Sequence, residues 1–261
     1  MAAYNGLHVL GCLAAVVVFS AGLRRHRLPW VHGVVLPVLL LVFSRFSARF
    51  FFALESGEWA EDWRWYFSFG PGASSQLAGF IPSLLLVFVY GYLAGIPALL
   101  LYDLAAPAFS LAVAFGRVGC LAAGCCGGVR LPAGWRLPAW LPDPGQFPTQ
   151  LTEGLSALLL TLILLRIPTG EGDRGRRAGW FLVLHGTSRF LAQFVRIDTI
   201  YWGPLTTTQV LSLFLVGAGA LLLWRRTPSA GRAWRLVAGR FSRSGSPGPI
   251  HVETRDGARR P

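Results

Sequence analysis

Five arginines lie in or at the ends of long apolar runs, and their side chains are the ones best suited to do chemistry in this 261-residue chain. Arg117 closes the run 98–115, Arg189 and Arg196 fall within 180–196, and Arg45 and Arg49 stand near the end of 34–54. An arginine inside a membrane span costs at least ~2.5–3.5 kcal/mol on insertion scales, so a chain that carries several uses them. The guanidinium is a permanently charged planar fork that grips phosphate in two-point contact. Together these residues point to a membrane protein that handles a phosphate-bearing lipid.

Other polar residues fall near them. Glycines crowd the segment after Arg117, as in Gly116-Arg117-Val118-Gly119-Cys120 and Gly127-Gly128, and let a backbone approach a ligand closely. A headgroup pocket fits that pattern; snorkelling of Arg117 at a helix end is the plainer reading. If 178–196 is one helix, Arg189 and Arg196 are two turns apart and form one stripe with His185 and Gln193. Asp103 and Glu153 are the carboxylates nearest the apolar segments, and internal pairing, for example Arg49 with Glu153, is the alternative to an anionic ligand. Pro148-Thr149-Gln150-Leu151-Thr152-Glu153 reads as a capped helix start. Cys120, Cys125 and Cys126 have the spacing Cys-x4-Cys-Cys and lack the second half of a zinc motif. No metal and no cofactor is expected. A disulfide from Cys120 to either neighbour, or small buried thiols, are the readings left open, and Cys12 is packing.

Spans must position these residues. The chain is 53% hydrophobic and 14% charged, with a mean hydropathy of +0.50, which is too apolar for a soluble domain. We read seven spans of about 20 residues, 7–23, 31–54, 76–94, 96–116, 148–166, 178–196 and 205–224. The fold class is thus all-α, a polytopic membrane protein. All 24 basic residues are arginine, and most flank apolar runs, at 24–27, at 166–177 and in the tail. That placement excludes a nucleic-acid partner in spite of the net charge of +12. Glu55, Glu58, Glu61 and Asp62 mark the opposite loop as external, so the N-terminus is outside and the C-terminus inside. Tryptophans and tyrosines in the outer loops form an interfacial belt. Residues 1–226 are the membrane domain, and 227–261 a basic, largely disordered cytoplasmic tail with a candidate surface helix at 231–241.

The order of these motifs resembles that of the prolipoprotein diacylglyceryl transferase family of bacterial inner membranes, over roughly residues 4–224. Gly116-Arg117-Val118-Gly119 resembles the centre of the family signature, and Pro148-Thr149-Gln150-Leu151-Thr152-Glu153 its Pro-Ser-Gln-Leu-Tyr-Glu element. His185-Gly186-Thr187-Ser188-Arg189-Phe190 with Gln193-Phe194-Val195-Arg196 is similar to its arginine helix, and Thr208-Gln209-Val210-Leu211-Ser212 to its last helix. The resemblance implies a multi-pass protein of the cytoplasmic membrane that moves a diacylglyceryl group from phosphatidylglycerol to the lipobox cysteine of prolipoproteins. Its implied partners are phosphatidylglycerol, the prolipoprotein signal peptide and membrane lipids. Arg117 and Arg189 would hold the phosphate, His185 or Glu153 would take the thiol proton, and Arg49, Arg196, Gly119, Gly128 and Gln150 would line the substrate site. The chain departs from the family at Cys120 and Ala123-Gly124-Cys125, where Asn and Asn-Gly-Glu are usual, at Phe147 for a His and at His185 for a Tyr. This marks a cysteine-bearing branch. The rival readings are a non-catalytic or thiol-redox protein of the same fold, or an anion transporter.

Overall fold

The computed structural model describes residues 2–57, 59, 62–67, 76–197 and 201–225; the expected tail, 227–261, lies outside them. Among the described residues, seven long helices occupy the seven apolar runs. They are α1 (Ala2–Arg25), α2 (His32–Ser56), α4 (Gln76–Ala94), α5 (Ala98–Ala122), α6 (Thr149–Arg166), α7 (Arg176–Ala192) and α8 (Thr207–Trp224), with a single turn, α3 (Arg64–Phe67), after α2. A two-residue antiparallel ladder pairs Tyr201–Trp202 with Leu205–Thr206. Five of the helices, α1, α2, α5, α6 and α8, are long and apolar enough to cross a membrane. α4 contributes the shorter apolar stretch Pro82–Ala94, and α7 has 17 residues, His185 and Arg189 among them. The chain is an all-α polytopic membrane protein. Large apolar side chains such as Val17, Leu85, Leu159 and Phe214 are exposed on its outside, as they are where hydrocarbon replaces water.

Small residues let the helices touch. α1 runs antiparallel to α5, with Gly22 on Leu104 and Gly11 on Phe115. α5 and α6 meet at Gly154, which packs on Arg117 and Ala114, and through a hydrogen bond from Ser110 Oγ to the Ala157 carbonyl at 2.8 Å. α7 and α8 meet at Gly186 against Ser212 and Gly179 against Gly219. Lipid gives helices no hydrophobic reason to associate, so close backbone approach and hydrogen bonds between helices do this work.

The antiparallel order separates two ends. At one end the arginine-rich loops converge, with His26 Nε2 2.8 Å from Thr169 Oγ1. Asp103, fully buried, accepts there from the backbone N–H of Gly175 at 2.5 Å and of Ala178 at 2.7 Å. These are donors that the first turn of α7 leaves unmet, so Asp103 caps a helix other than its own. Arg117, fourteen residues along α5, is then about 21 Å away at the opposite end.

Three expectations change. The sixth span is not one helix to residue 196: α7 ends at Ala192, and a 3₁₀ turn, Gln193–Val195, follows. The backbone N–H of Gln193 is shared between the carbonyls of Leu191 and Phe190, and Arg196 is extended at φ −94°, in an antiparallel bridge with Gly128. Arg196 therefore leaves the helical stripe. The fourth span continues to Ala122, so Arg117 lies within α5 and does not close it. The start of α6 has no side-chain cap; Thr149 Oγ1 donates to the Cys126 carbonyl at 2.6 Å instead.

Candidate functional site

Glu153 stands on the second turn of α6 with 7% of its side chain exposed. Three guanidiniums gather on this one carboxylate. Arg189, near the end of α7, donates through Nη1 to Oε1 at 2.6 Å, and Arg196 Nη1 reaches the same oxygen at 3.5 Å. Arg117 of α5 brings Nε to 2.6 Å from Oε2, an ion pair by distance that falls outside hydrogen-bond alignment. Three guanidiniums thus converge on one carboxylate in a nearly buried cluster. A carboxylate whose oxygens are engaged by arginines holds the forks in place, and convergent guanidiniums suit an anion.

Beneath the cluster, α5, α6 and α7 enclose a cavity of about 170 Å³. Its polar end is made by Arg117, Glu153 and Arg189, with Ser156 and Ser188 paired across it at 3.1 Å between hydroxyl oxygens. Val113, Leu159, Leu160, Ile163 and Leu184 line the rest. Leu159 and Ile163 are 59% and 39% exposed, so this wall opens sideways toward the surrounding hydrocarbon. A cationic end above an apolar shaft that opens to the side fits an amphiphile with an anionic headgroup. His185 sits between the two parts, its ring stacked on Phe181 at 5.1 Å and edge-on to Phe109 at 6.0 Å.

Not every expected residue joins this cavity. Arg49, 1% exposed, donates to the Trp65 carbonyl and lies 4.6 Å over the Trp65 ring, so it pairs with α3, where the sequence suggested Glu153. Gln150 Nε2 donates to the Cys125 carbonyl at 2.5 Å. Gly119 faces His8 of α1, and Gly128 lies in the bridge to Arg196. These residues shape the wall around the site and do not line the cavity. Ser156 and Ser188 do line it and were missed by the sequence reading. Their signal was position, three residues after Glu153 and one before Arg189 on facing helices.

The three late cysteines sit beside the cluster. Gly124 and Cys126 adopt positive φ, +65° and +62°, and fold the chain back over the end of α5. Burial pushes the Cys125 thiol up. The hydrogen bond from Cys120 brings Cys126 down to about 5, against partial burial and helped by Cys125, Arg117 and Arg196.

A family model for prolipoprotein diacylglyceryl transferase matches residues 1–225. Among similar curated proteins is phosphatidylglycerol–prolipoprotein diacylglyceryl transferase 2 of Clostridium perfringens, 34% identical over 131 residues, 47% of this chain and 50% of that one. The transferase of Clostridium tetani is 32% identical over 123 residues, 45% of this chain and 49% of that one. That of Teredinibacter turnerae is 29% identical over 236 residues, 85% and 81%. The chain thus spans about half the length of the two clostridial relatives and most of the third.

Proposed function

The chain belongs to the prolipoprotein diacylglyceryl transferase family, and from that premise we propose that it transfers a diacylglyceryl group from phosphatidylglycerol to the lipobox cysteine of prolipoproteins. The observation that carries this reading is the arginine cluster held by Glu153 above a laterally open apolar cavity. In our reading the phosphodiester sits under Arg117 and Arg189 while the acyl chains leave past Leu159 and Ile163. The lipobox thiolate attacks the glyceryl carbon that bears the phosphate. A carbon–sulfur bond forms, the carbon–oxygen bond breaks, and glycerol phosphate departs with the extra negative charge. The guanidiniums of Arg117 and Arg189 meet that charge as it develops, which is where preorganised cations lower a barrier.

The roles follow from placement. Arg117 and Arg189 are the proposed phosphate grip. Glu153 fixes the forks, and Arg196 adds charge from the 193–196 turn. His185 is the proposed acceptor of the thiol proton, as the imidazole on the cavity wall. The enzyme would work at the outer face of a bacterial cytoplasmic membrane, because the arginine-rich loops gather at the end opposite the site and basic loops stay inside.

Arg117→Ala and Arg189→Ala test the grip. Each is expected to lower diacylglyceryl transfer by roughly 10²–10³-fold, the loss typical of removing one preorganised donor. Full activity in both variants would refute the phosphate-grip argument.

A further inference from the structure

We propose that Cys120, Cys125 and Cys126 form a three-thiolate site for a thiophilic cation, Cu⁺ or Zn²⁺. This site is independent of the transferase reading. The sequence spacing gives no such hint, because the ligands are brought together by backbone conformation. Cys120 lies in the last turn of α5, and the turn through Gly124 and Cys126, both at positive φ, returns the next two cysteines over it. The three sulfurs lie within 4.8 Å of one another. A cation with sulfur bonds of about 2.3 Å holds its sulfurs roughly 3.8–4.0 Å apart, so small side-chain rotations complete the site.

Backbone carbonyls of the turn accept from neighbouring groups, and the Cys125 thiol also donates to the Cys120 carbonyl at 3.6 Å. Thr149 Oγ1 donates to the Cys126 carbonyl at 2.6 Å, Gln150 Nε2 to the Cys125 carbonyl at 2.5 Å, and the Cys125 N–H to the Cys120 carbonyl at 3.1 Å. Cys125 is half-buried and Cys126 exposed, so an ion can enter. A set made only of sulfur selects soft cations over Mg²⁺ or Ca²⁺. Three sulfurs complete a trigonal Cu⁺ site, whereas Zn²⁺ would take a water as its fourth ligand. The thiols release their protons as the cation binds. A disulfide would use two of the three sulfurs and strand the third.

The test uses the full-length protein, reduced and purified in detergent without air. It is titrated with Cu⁺ against bicinchoninate, and separately with Zn²⁺ against a chromophoric chelator. We expect one ion per chain for at least one of the two, with sulfur-to-metal charge-transfer absorption. The bound ion should protect three of the four cysteines from alkylation, leaving Cys12 to react. C120S, C125S and C126S should each lose at least tenfold in affinity, and C12S should match the parent. Thiol protection in the unmodified chain keeps the test decisive if a serine variant folds poorly. Three results would each overturn the proposal: no stoichiometric binding of either ion, undiminished binding by the triple serine variant, or a Cys120 disulfide that persists after reduction and blocks the ion.

Discussion

Glu153→Gln is the sharpest perturbation of the cluster, because it removes one charge and almost no volume. The carboxylate is 7% exposed and meets guanidinium nitrogens at 2.6, 2.6 and 3.5 Å. Glutamine keeps one acceptor oxygen, but its amide is a donor, and one of the three arginines must then face donor with donor. The substitution also removes one negative charge from among the three guanidiniums. Breaking a buried ion pair costs about 3–5 kcal/mol, and the retained oxygen argues for the lower end, about 3 kcal/mol. If the loss appears in the transition state, kcat/KM falls by roughly 150-fold. The extra positive charge still attracts the anionic lipid, so kcat should fall while KM for phosphatidylglycerol stays level or drops. The assay follows transfer to a fluorescent lipobox peptide at several lipid concentrations, with thermal unfolding of the same preparations. A variant within threefold of the parent in kcat and equal to it in unfolding temperature would refute the view that Glu153 holds the arginines.

Three other perturbations separate roles. His185→Phe keeps the ring stack on Phe181 and removes the proton acceptor; we expect kcat down by about 10²–10⁴-fold with KM little changed, and unchanged kcat would exclude His185 as the base. Gly128→Ala puts a methyl carbon 2.3 Å from the Val195 carbonyl oxygen and 3.0 Å from that of Phe147. Both neighbours are backbone, so we expect about 1–3 kcal/mol of destabilisation and loss of activity as Arg196 shifts, whereas Gly170→Ala, with open space around it, should unfold like the parent. The Cys126 thiolate, favoured by its hydrogen bond from Cys120, forms as pH rises through about 5, so iodoacetamide labelling of Cys126 should already be near its plateau at pH 7. Labelling that climbs mainly between pH 8 and 9 would contradict that.

The helices were legible in the sequence because long apolar runs leave a membrane chain few other choices. The clustered side chains were legible too, since Arg117, Arg189 and Glu153 are costly where they stand. Their pairing was not. Which arginine meets Glu153 depends on the packing of α5, α6 and α7, and residues 36 apart in sequence make that contact. Periodicity placed Arg196 on one helical face with Arg189, yet the chain unwinds at Gln193 and Arg196 reaches Glu153 from an extended segment bridged to Gly128. The sulfur cluster was hidden for a related reason. Its ligands meet through two left-handed residues, and Cys126 is not a type that announces such a conformation.

Mass spectrometry of a reporter prolipoprotein incubated with the purified protein and phosphatidylglycerol tests diacylglyceryl transfer by the arginine cluster directly. We expect a mass gain of one diacylglyceryl group on the lipobox cysteine, with one glycerol phosphate released per thioether, and a rate at least about 10²-fold lower with Arg189→Ala. An unchanged reporter, beside a relative that modifies it under the same conditions, would contradict the account.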